Sequence, residues 1–385
     1  MAGVYLYDAV RTPRGKAREG GGLAGLSPQE LVRGQAAALA ARCGNFAPEA
    51  LILGCVTQSG AQGGHIAMLA KLHTGLPDAC AAHSLNNYCA SGLSAIGQAV
   101  AKVASGEISV ALAGGVESMS AAPFLGDRAG FYTNEELPPR ARFVPPVLAA
   151  DRLAHAEGIA RAELDAVALA SQQKAAAAEK DVALQASRIA TGALTGEECI
   201  RPQTTADSLA AAPPAFGELQ DQYADALEGQ RFAPLHGVAH APPICDGAGL
   251  TLVGAAGLGP APRARVVAFA ESGGDPAASL TAGFAAMDKV LARTGLRLAD
   301  MDRIEFMEAF AVTIAKFLRD RDADPAKVNV GGGHLAKGHP MGASGAILTS
   351  TLLDALDACA GRYGLVVLTG AMGVGAAMIV ERPGC

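Results

Sequence analysis

The chain has 385 residues, half of them hydrophobic and 4% aromatic, with no Trp, enough for a large core and more than one structural unit. Its formal net charge of −6 excludes a general binder of nucleic acid or membrane surfaces, which would carry a basic excess. An anionic ligand would need a local basic patch instead.

The first residues enter a strand pattern without a charged-then-apolar leader. No apolar run approaches the ~20 residues of a membrane span. Eight cysteines, none in a C-x-x-C pair, are too sparse for a disulfide scaffold, so a reducing cytoplasm is the expected home. Cys43, Cys55, Cys80 and Cys359 read as buried structural thiols.

Apolar strand-like runs then alternate with helical periodicity, the pattern of an α/β sheet covered on both faces. Cys89 starts a predicted helix with Leu93, Ile96, Val100 and Val103 on its apolar stripe. That helix stops at Gly106, before a strand over 108–115. Residues 119–242 break the pattern, with Pro138, Pro139, Pro145, Pro146, Pro202, Pro213 and Pro214 around one strong helix over 161–179.

The run Gly331-Gly-Gly-His-Leu-Ala-Lys-Gly-His-Pro340 opens a second helix, carrying Ile347, Leu348, Leu352 and Leu356. It stops at Gly361, before a strand over 365–370. Turn, helix, glycine stop and strand thus occur twice. The fold class is therefore α/β, two copies of one unit packed face to face, with a site between their helix N-termini. The division expected is 1–118 for the N-terminal half (completed by 243–262), 119–242 for an inserted loop subdomain covering the substrate, and 263–385 for the C-terminal half.

A thiol and an imidazole at two such helix starts suit acyl transfer through a covalent thioester, the helix end lowering the pKa of Cys89 and His339 taking its proton. Gly338 permits a strained turn before His339, and Pro340 fixes the backbone just after it. Lys337 reads as solvated. The spacing of His236 and His240 makes no metal site, and the glycine runs 20–22 and 331–333 match neither nucleotide fingerprint.

Together these residues resemble the thiolase family of acyl-CoA C-acyltransferases over nearly the whole chain. The likeness is carried by Val10-Arg-Thr-Pro-Arg-Gly-Lys16, Asn87-Tyr-Cys-Ala-Ser-Gly-Leu93, Gly114-Gly-Val-Glu-Ser-Met119, Ser171-Gln-Gln-Lys174, Asp246-Gly-Ala248, Glu308-Ala-Phe-Ala311 and Gly338-His-Pro-Met-Gly-Ala-Ser-Gly345. The resemblance implies a duplicated αβαβα core, an acyl-Cys89 intermediate in a ping-pong cycle, and His339 as activator. It places an oxyanion hole at the amides of Cys89 and Ala371, worth about 3 kcal/mol per donor.

It also implies coenzyme A contacts at Arg201 and Ser208, no metal or redox cofactor, and a homodimer or homotetramer. Two positions depart from the family pattern. Met307 stands where the family has Asn or His for the enolate's water, and Thr369 stands where it has an acid/base cysteine. Pro145, Pro146 and Pro242 also replace residues that line the acyl or pantetheine path in the family. The alternatives are a diverged condensing enzyme with another acceptor or a pre-activated nucleophile, and a non-catalytic thiolase-like subunit.

Overall fold

The computed structural model describes residues 3–44 and 46–384. Met1 and Ala2, the first residues of the expected N-terminal strand, lie outside the described residues, as do Asn45 and Cys385. Ten strands form among the described residues, β1 (Val4–Arg11), β2 (Gly15–Lys16), β3 (Ala50–Gly54), β4 (Ala81–Leu85), β5 (Val110–Glu117), β6 (Cys245–Ala255), β7 (Ala264–Gly273), β8 (Arg303–Phe306), β9 (Tyr363–Thr369) and β10 (Val374–Glu381). Their order in the sheet is β4-β3-β5-β6-β1-β7-β10-β9-β8, with β2 pairing β6 off that path.

The two halves repeat strand by strand. In the first, β3 is parallel to β5, which is antiparallel to β6, which is antiparallel to β1. In the second, β8, β9, β10 and β7 show the same sequence of directions. Along that path only β4, an outer parallel strand, has no described counterpart. The halves join where Tyr5 and Leu6 pair with Arg265 and Ala264.

The helices are α1 (Pro28–Cys43), α2 (Ile66–Thr74), α3 (Ser91–Ser105), α4 (Pro146–Glu157), α5 (Arg161–Ala178), α6 (Ala206–Ala211), α7 (Leu219–Gln222), α8 (Ala282–Thr294), α9 (Ala311–Arg321), α10 (His334–Lys337) and α11 (Ser344–Ala358). Those from α4 to α7 lie in the proline-punctuated stretch. Among the described residues no helix is long and apolar enough to cross a membrane.

The repeat-related helices α3 and α11 lie between the two halves. α11 packs on β6 and β1 of one half and on β9 and β8 of the other, so every residue from Ser344 to Leu356 is buried. Three of its hydroxyls are satisfied within the helix, Thr349 donating to the carbonyl of Gly345 and Ser350 and Thr351 to that of Ile347. The helices cross so closely that a Cβ on Gly345 would sit 2.1 Å from the Leu93 amide nitrogen. That crossing brings the two helix starts together.

Gly106 stops α3 in a left-handed conformation, as expected. In α11 the left-handed residue is Ala360, with φ of 51°, rather than Gly361. The helix ends earlier than its apolar stripe suggests, which puts Cys359 on the cap. It is therefore half-buried there rather than fully buried, and Cys43, at the end of α1, is half-buried too. Cys55 and Cys80 are buried.

Candidate active site

Cys89 comes directly after a strained residue. Tyr88 has φ of 45°, left-handed and costly for an aromatic side chain. The strain is held by neighbours in the sequence. The Tyr88 amide donates to Asn86 Oδ1 at 2.9 Å, and Ser91 Oγ accepts the Asn87 amide at 2.8 Å while donating to the Tyr88 carbonyl at 2.5 Å.

The amides of Ala371 and of Cys89 itself favour negative charge on the Cys89 sulfur. Burial nevertheless pushes the thiol up to about 11. This corrects the expectation from the helix end. Desolvation outweighs the two amides and the helix field, so the resting thiol is protonated near neutral pH and needs a base when it reacts.

His339 is fixed by contacts distant in sequence. Its amide donates to the Pro243 carbonyl at 2.9 Å. Gly338 before it has φ of 98°, and a Cβ there would lie 2.7 Å from Cys245 Sγ. Two buried carboxylates hold the loop from either side. Glu117 accepts the amides of Val56, Thr57 and Gly342 at 2.9, 3.0 and 2.9 Å. Glu308 accepts the Leu335 amide at 2.9 Å and the Ser171 hydroxyl at 2.7 Å.

The His339 ring meets Ser344 Oγ through Nδ1 at 2.7 Å. Its Nε2 is buried and makes no hydrogen bond among the described residues. Burial, aided by the nearby Arg14 charge, lowers its pKa to about 3, so the ring is neutral near pH 7. The buried His334 ring packs against it at 5.1 Å, nearly perpendicular.

Cys89 and His339 share one cavity of about 360 Å³. Pro145, Pro146 and Pro242 line it, as does Met307. Among the described residues, Cys89 and His339 are the only ionisable side chains on its wall. Thr369 is fully buried at the end of β9. Its hydroxyl makes no hydrogen bond among the described residues and is not part of the cavity wall.

The cavity continues outward. It shares Phe216, Ala241, Pro242 and Ile244 with a groove that also holds Lys16, Arg18 and Arg201. That groove shares Arg201 and Val238 with a further cleft of about 450 Å³ containing Ser208. Arg201 and Ser208 are both exposed. The Ser208 hydroxyl accepts the Thr205 amide at 3.0 Å, capping α6, and donates to the Thr205 carbonyl at 2.8 Å. Sequence reasoning had not assigned Lys16 and Arg18, though the motif ending at Lys16 was a usable signal, as was the need for a local basic patch.

Lys337 is a correction. It is 1% exposed, turned inward among Glu305, Glu197, Arg11 and Arg14. Burial lowers it to about 8 and raises Glu305 to about 7. Its position one residue before Gly338, inside the loop that the carboxylates pin, leaves it no route to solvent. His236 and His240 are structural, bonded to Asp151 at 2.6 Å and Asp165 at 2.7 Å. No group of three potential metal ligands occurs among the described residues.

Comparison with known proteins identifies the family. Residues 4–220 match the model of the thiolase N-terminal domain, and residues 260–382 that of the thiolase C-terminal domain. The chain belongs to the thiolase family. It is 35% identical to a beta-ketoadipyl-CoA thiolase of Pseudomonas putida, covering 99% of this chain and 100% of that one. It is 33% identical to a 3-ketoacyl-CoA thiolase of Colwellia psychrerythraea, with 99% and 100% covered.

Its structure superposes on human mitochondrial 3-ketoacyl-CoA thiolase with a TM-score of 0.85, at 30% identity and 99% coverage of each chain. The fold is the thiolase fold, and this thiolase is an acyl-CoA C-acyltransferase of acyl-group metabolism.

Proposed function

We propose that this thiolase cleaves or forms 3-oxoacyl-CoA through an acyl-Cys89 thioester, with His339 as its acid and base. One observation carries the reading. Among the described residues, Cys89 and His339 are the only ionisable groups on the wall of one cavity, and the amides of Cys89 and Ala371 favour charge at the sulfur. His339 Nε2 takes the thiol proton as Cys89 attacks. The amides of Cys89 and Ala371 receive the developing oxyanion, which preorganised donors stabilise without reorganisation. When the carbon–carbon bond breaks, the same Nε2–H returns the proton to the departing enolate. Coenzyme A then discharges the acyl group, its thiol proton taking the same path.

Ser344 makes this economy possible. A hydroxyl both donates and accepts, so it satisfies Nδ1 whether Nε2 presents a lone pair or a proton. With Met307 and Thr369 supplying no polar help, we place the carbon–carbon step about 10²–10⁴-fold below that of an enzyme with a separate acid/base.

The coenzyme A nucleotide would run along the outer groove past Lys16, Arg18, Arg201 and Ser208, beneath residues 119–242. The acyl group carried on Cys89 would be apolar, because the described wall offers no cation to a carboxylate that stays through the cycle, and a lasting unpaired buried charge is costly. The chemistry closes with groups of the chain and the thioester, so no cofactor is called for. We divide the chain as 1–118 with 243–262, 119–242, and 263–385.

We further propose a cytoplasmic homodimer or homotetramer, with no nucleic-acid or membrane partner. Strand β4 leaves an open sheet edge, and Met68, Leu69 and Leu72 on the neighbouring α2 are 38%, 40% and 66% exposed. Light scattering on the purified protein tests this, and a monomer at micromolar concentration would refute it.

Thiolysis of an apolar 3-oxoacyl-CoA with Cys89→Ala as control tests the catalytic reading. Cleavage that persists without Cys89, or failure of any acyl-CoA to add its acyl mass to Cys89, would overturn it.

A further inference from the structure

A carbon nucleophile next to a thioester carbonyl can arise in two ways. Removing an α-proton needs a base at that carbon and a hydrogen-bond donor at the neighbouring oxygen together. Losing carbon dioxide from an α-carboxylate needs the donor alone. In this cavity a single nitrogen, His339 Nε2, is available for either task, and it cannot be lone pair and N–H at once. The remaining wall near it, Met119, Met307, Phe310 and Met341, is apolar.

We infer that this chain has a second activity, a decarboxylating condensation in which acyl-Cys89 is attacked by the carbanion formed from a 2-carboxyacyl-CoA, malonyl-CoA being the simplest. The inference rests on acyl-Cys89 formation as proposed above.

The step balances without another reactant. The bond between the carboxylate and Cα breaks, carbon dioxide leaves, and the electron pair becomes the enolate's, its oxygen held by the Nε2–H. Cα attacks the acyl carbonyl, the carbon–sulfur bond breaks, and 3-oxoacyl-CoA is released with Cys89 as thiolate. That thiolate takes one proton from water. Acyl-CoA, malonyl-CoA and a proton thus give 3-oxoacyl-CoA, carbon dioxide and coenzyme A.

The cavity favours this route in two respects. The tautomer that Ser344 allows by donating to Nδ1 leaves Nε2 as the donor. The described wall has no Lys or Arg side chain, so a carboxylate within it is poorly solvated and its loss is promoted. His339 is also held neutral and weakly basic by burial, which penalises proton abstraction and leaves decarboxylation untouched.

The test uses the full-length protein acylated with butyryl-CoA, the acyl-Cys89 adduct being verified by intact mass. It is then mixed with carboxyl-labelled malonyl-CoA or with acetyl-CoA. The expected result is label release and 3-oxoacyl-CoA formation from malonyl-CoA at least ~10²-fold faster than condensation with acetyl-CoA, with 3-oxoacyl-CoA formation from either donor absent in Cys89→Ala. Thr369→Cys, which supplies a second acid/base, is expected to raise the acetyl-CoA rate and narrow that ratio. An acyl-Cys89 that discharges to coenzyme A but releases no label from malonyl-CoA overturns the inference alone. So does an acetyl-CoA rate equal to the malonyl-CoA rate. Failure to form acyl-Cys89 overturns the inference and the underlying catalytic reading together.

Discussion

The two repeat-related turns at the cavity are built by opposite means. The Cys89 turn is local, its strained Tyr88 held by Asn86 and Ser91, both within three residues. The His339 turn is held from afar, by Glu117 and Glu308 and by the segment at Pro243. A self-contained turn can keep its shape while the rest of the protein moves. A turn pinned by distant carboxylates exists only when both halves are docked, so the imidazole is delivered only to an assembled site.

The largest break in this contrast should come from Glu117→Ala. It strips the acceptor from three buried amides, each worth about 1–3 kcal/mol when left unsatisfied, for a loss of about 5 kcal/mol in urea unfolding. A loss below about 1 kcal/mol would mean that the His339 turn does not depend on the first half. Next is Lys337→Met, which removes the strongest of the cationic fields on the buried Glu305, leaving those of Arg14 and Arg11, and should cost about 3 kcal/mol at pH 8. The cost should shrink at pH 5, where Glu305 is protonated, and adding Glu305→Gln should recover most of it.

The pair also shapes stability against pH in the unaltered protein. Glu305 titrates near 7 when folded against 4.5 ordinarily, so the folded state holds the extra proton and stability falls as pH rises from 4.5 to 7. Lys337 titrates near 8 against 10.5, so the unfolded state holds the extra proton and stability rises from pH 8 to 10.5. The melting temperature of the unaltered protein minus that of the double variant should therefore dip between pH 7 and 8. A flat difference would show that the two groups do not titrate as a buried pair.

Smaller effects are expected at the turns themselves. Gly338→Ala, in a left-handed conformation with Cys245 behind it, should cost about 2 kcal/mol and, by displacing His339, lower kcat and the labelling of Cys89 by iodoacetamide together. Asn86→Ala removes one of the local tethers of the nucleophile turn and should cost about 1 kcal/mol. Equal losses at Asn86 and Glu117 would erase the contrast between a local and a remote design.

Legibility in the chain divides along the same line. Features set by neighbours in sequence were readable: the start of α3, expected at Cys89 and found at Ser91, its stop at Gly106, the helix expected over 161–179 and found at Arg161–Ala178, and the doubling of turn, helix and strand. Features set across the halves were not. Glu117 and Gly342 are 225 residues apart, so no local spacing announced their bond. Lys337 looked like a solvated charge because nothing nearby in sequence shows Glu305 and Glu197 closing over it. The thiol's upward shift was equally hidden, since it comes from burial by both halves rather than from the helix start that sequence does show.

The smallest expected effect is none at all, and it tests how the two turns cooperate. A thiol near 11 and an imidazole near 3 are both neutral over the whole ordinary range. Acylation of Cys89 should then be independent of pH from about 5 to 9, because the reacting forms are fully populated throughout and the proton moves only during attack. A preformed thiolate–imidazolium pair would behave otherwise, losing rate on the acid side as the thiolate is protonated. Rates of acyl-Cys89 formation measured by quenched-flow mass spectrometry distinguish the two. An acid limb between pH 5 and 7 would mean that the helix-start field outweighs burial at Cys89 after all, and that the remote turn merely orients a ring beside an already ionised sulfur.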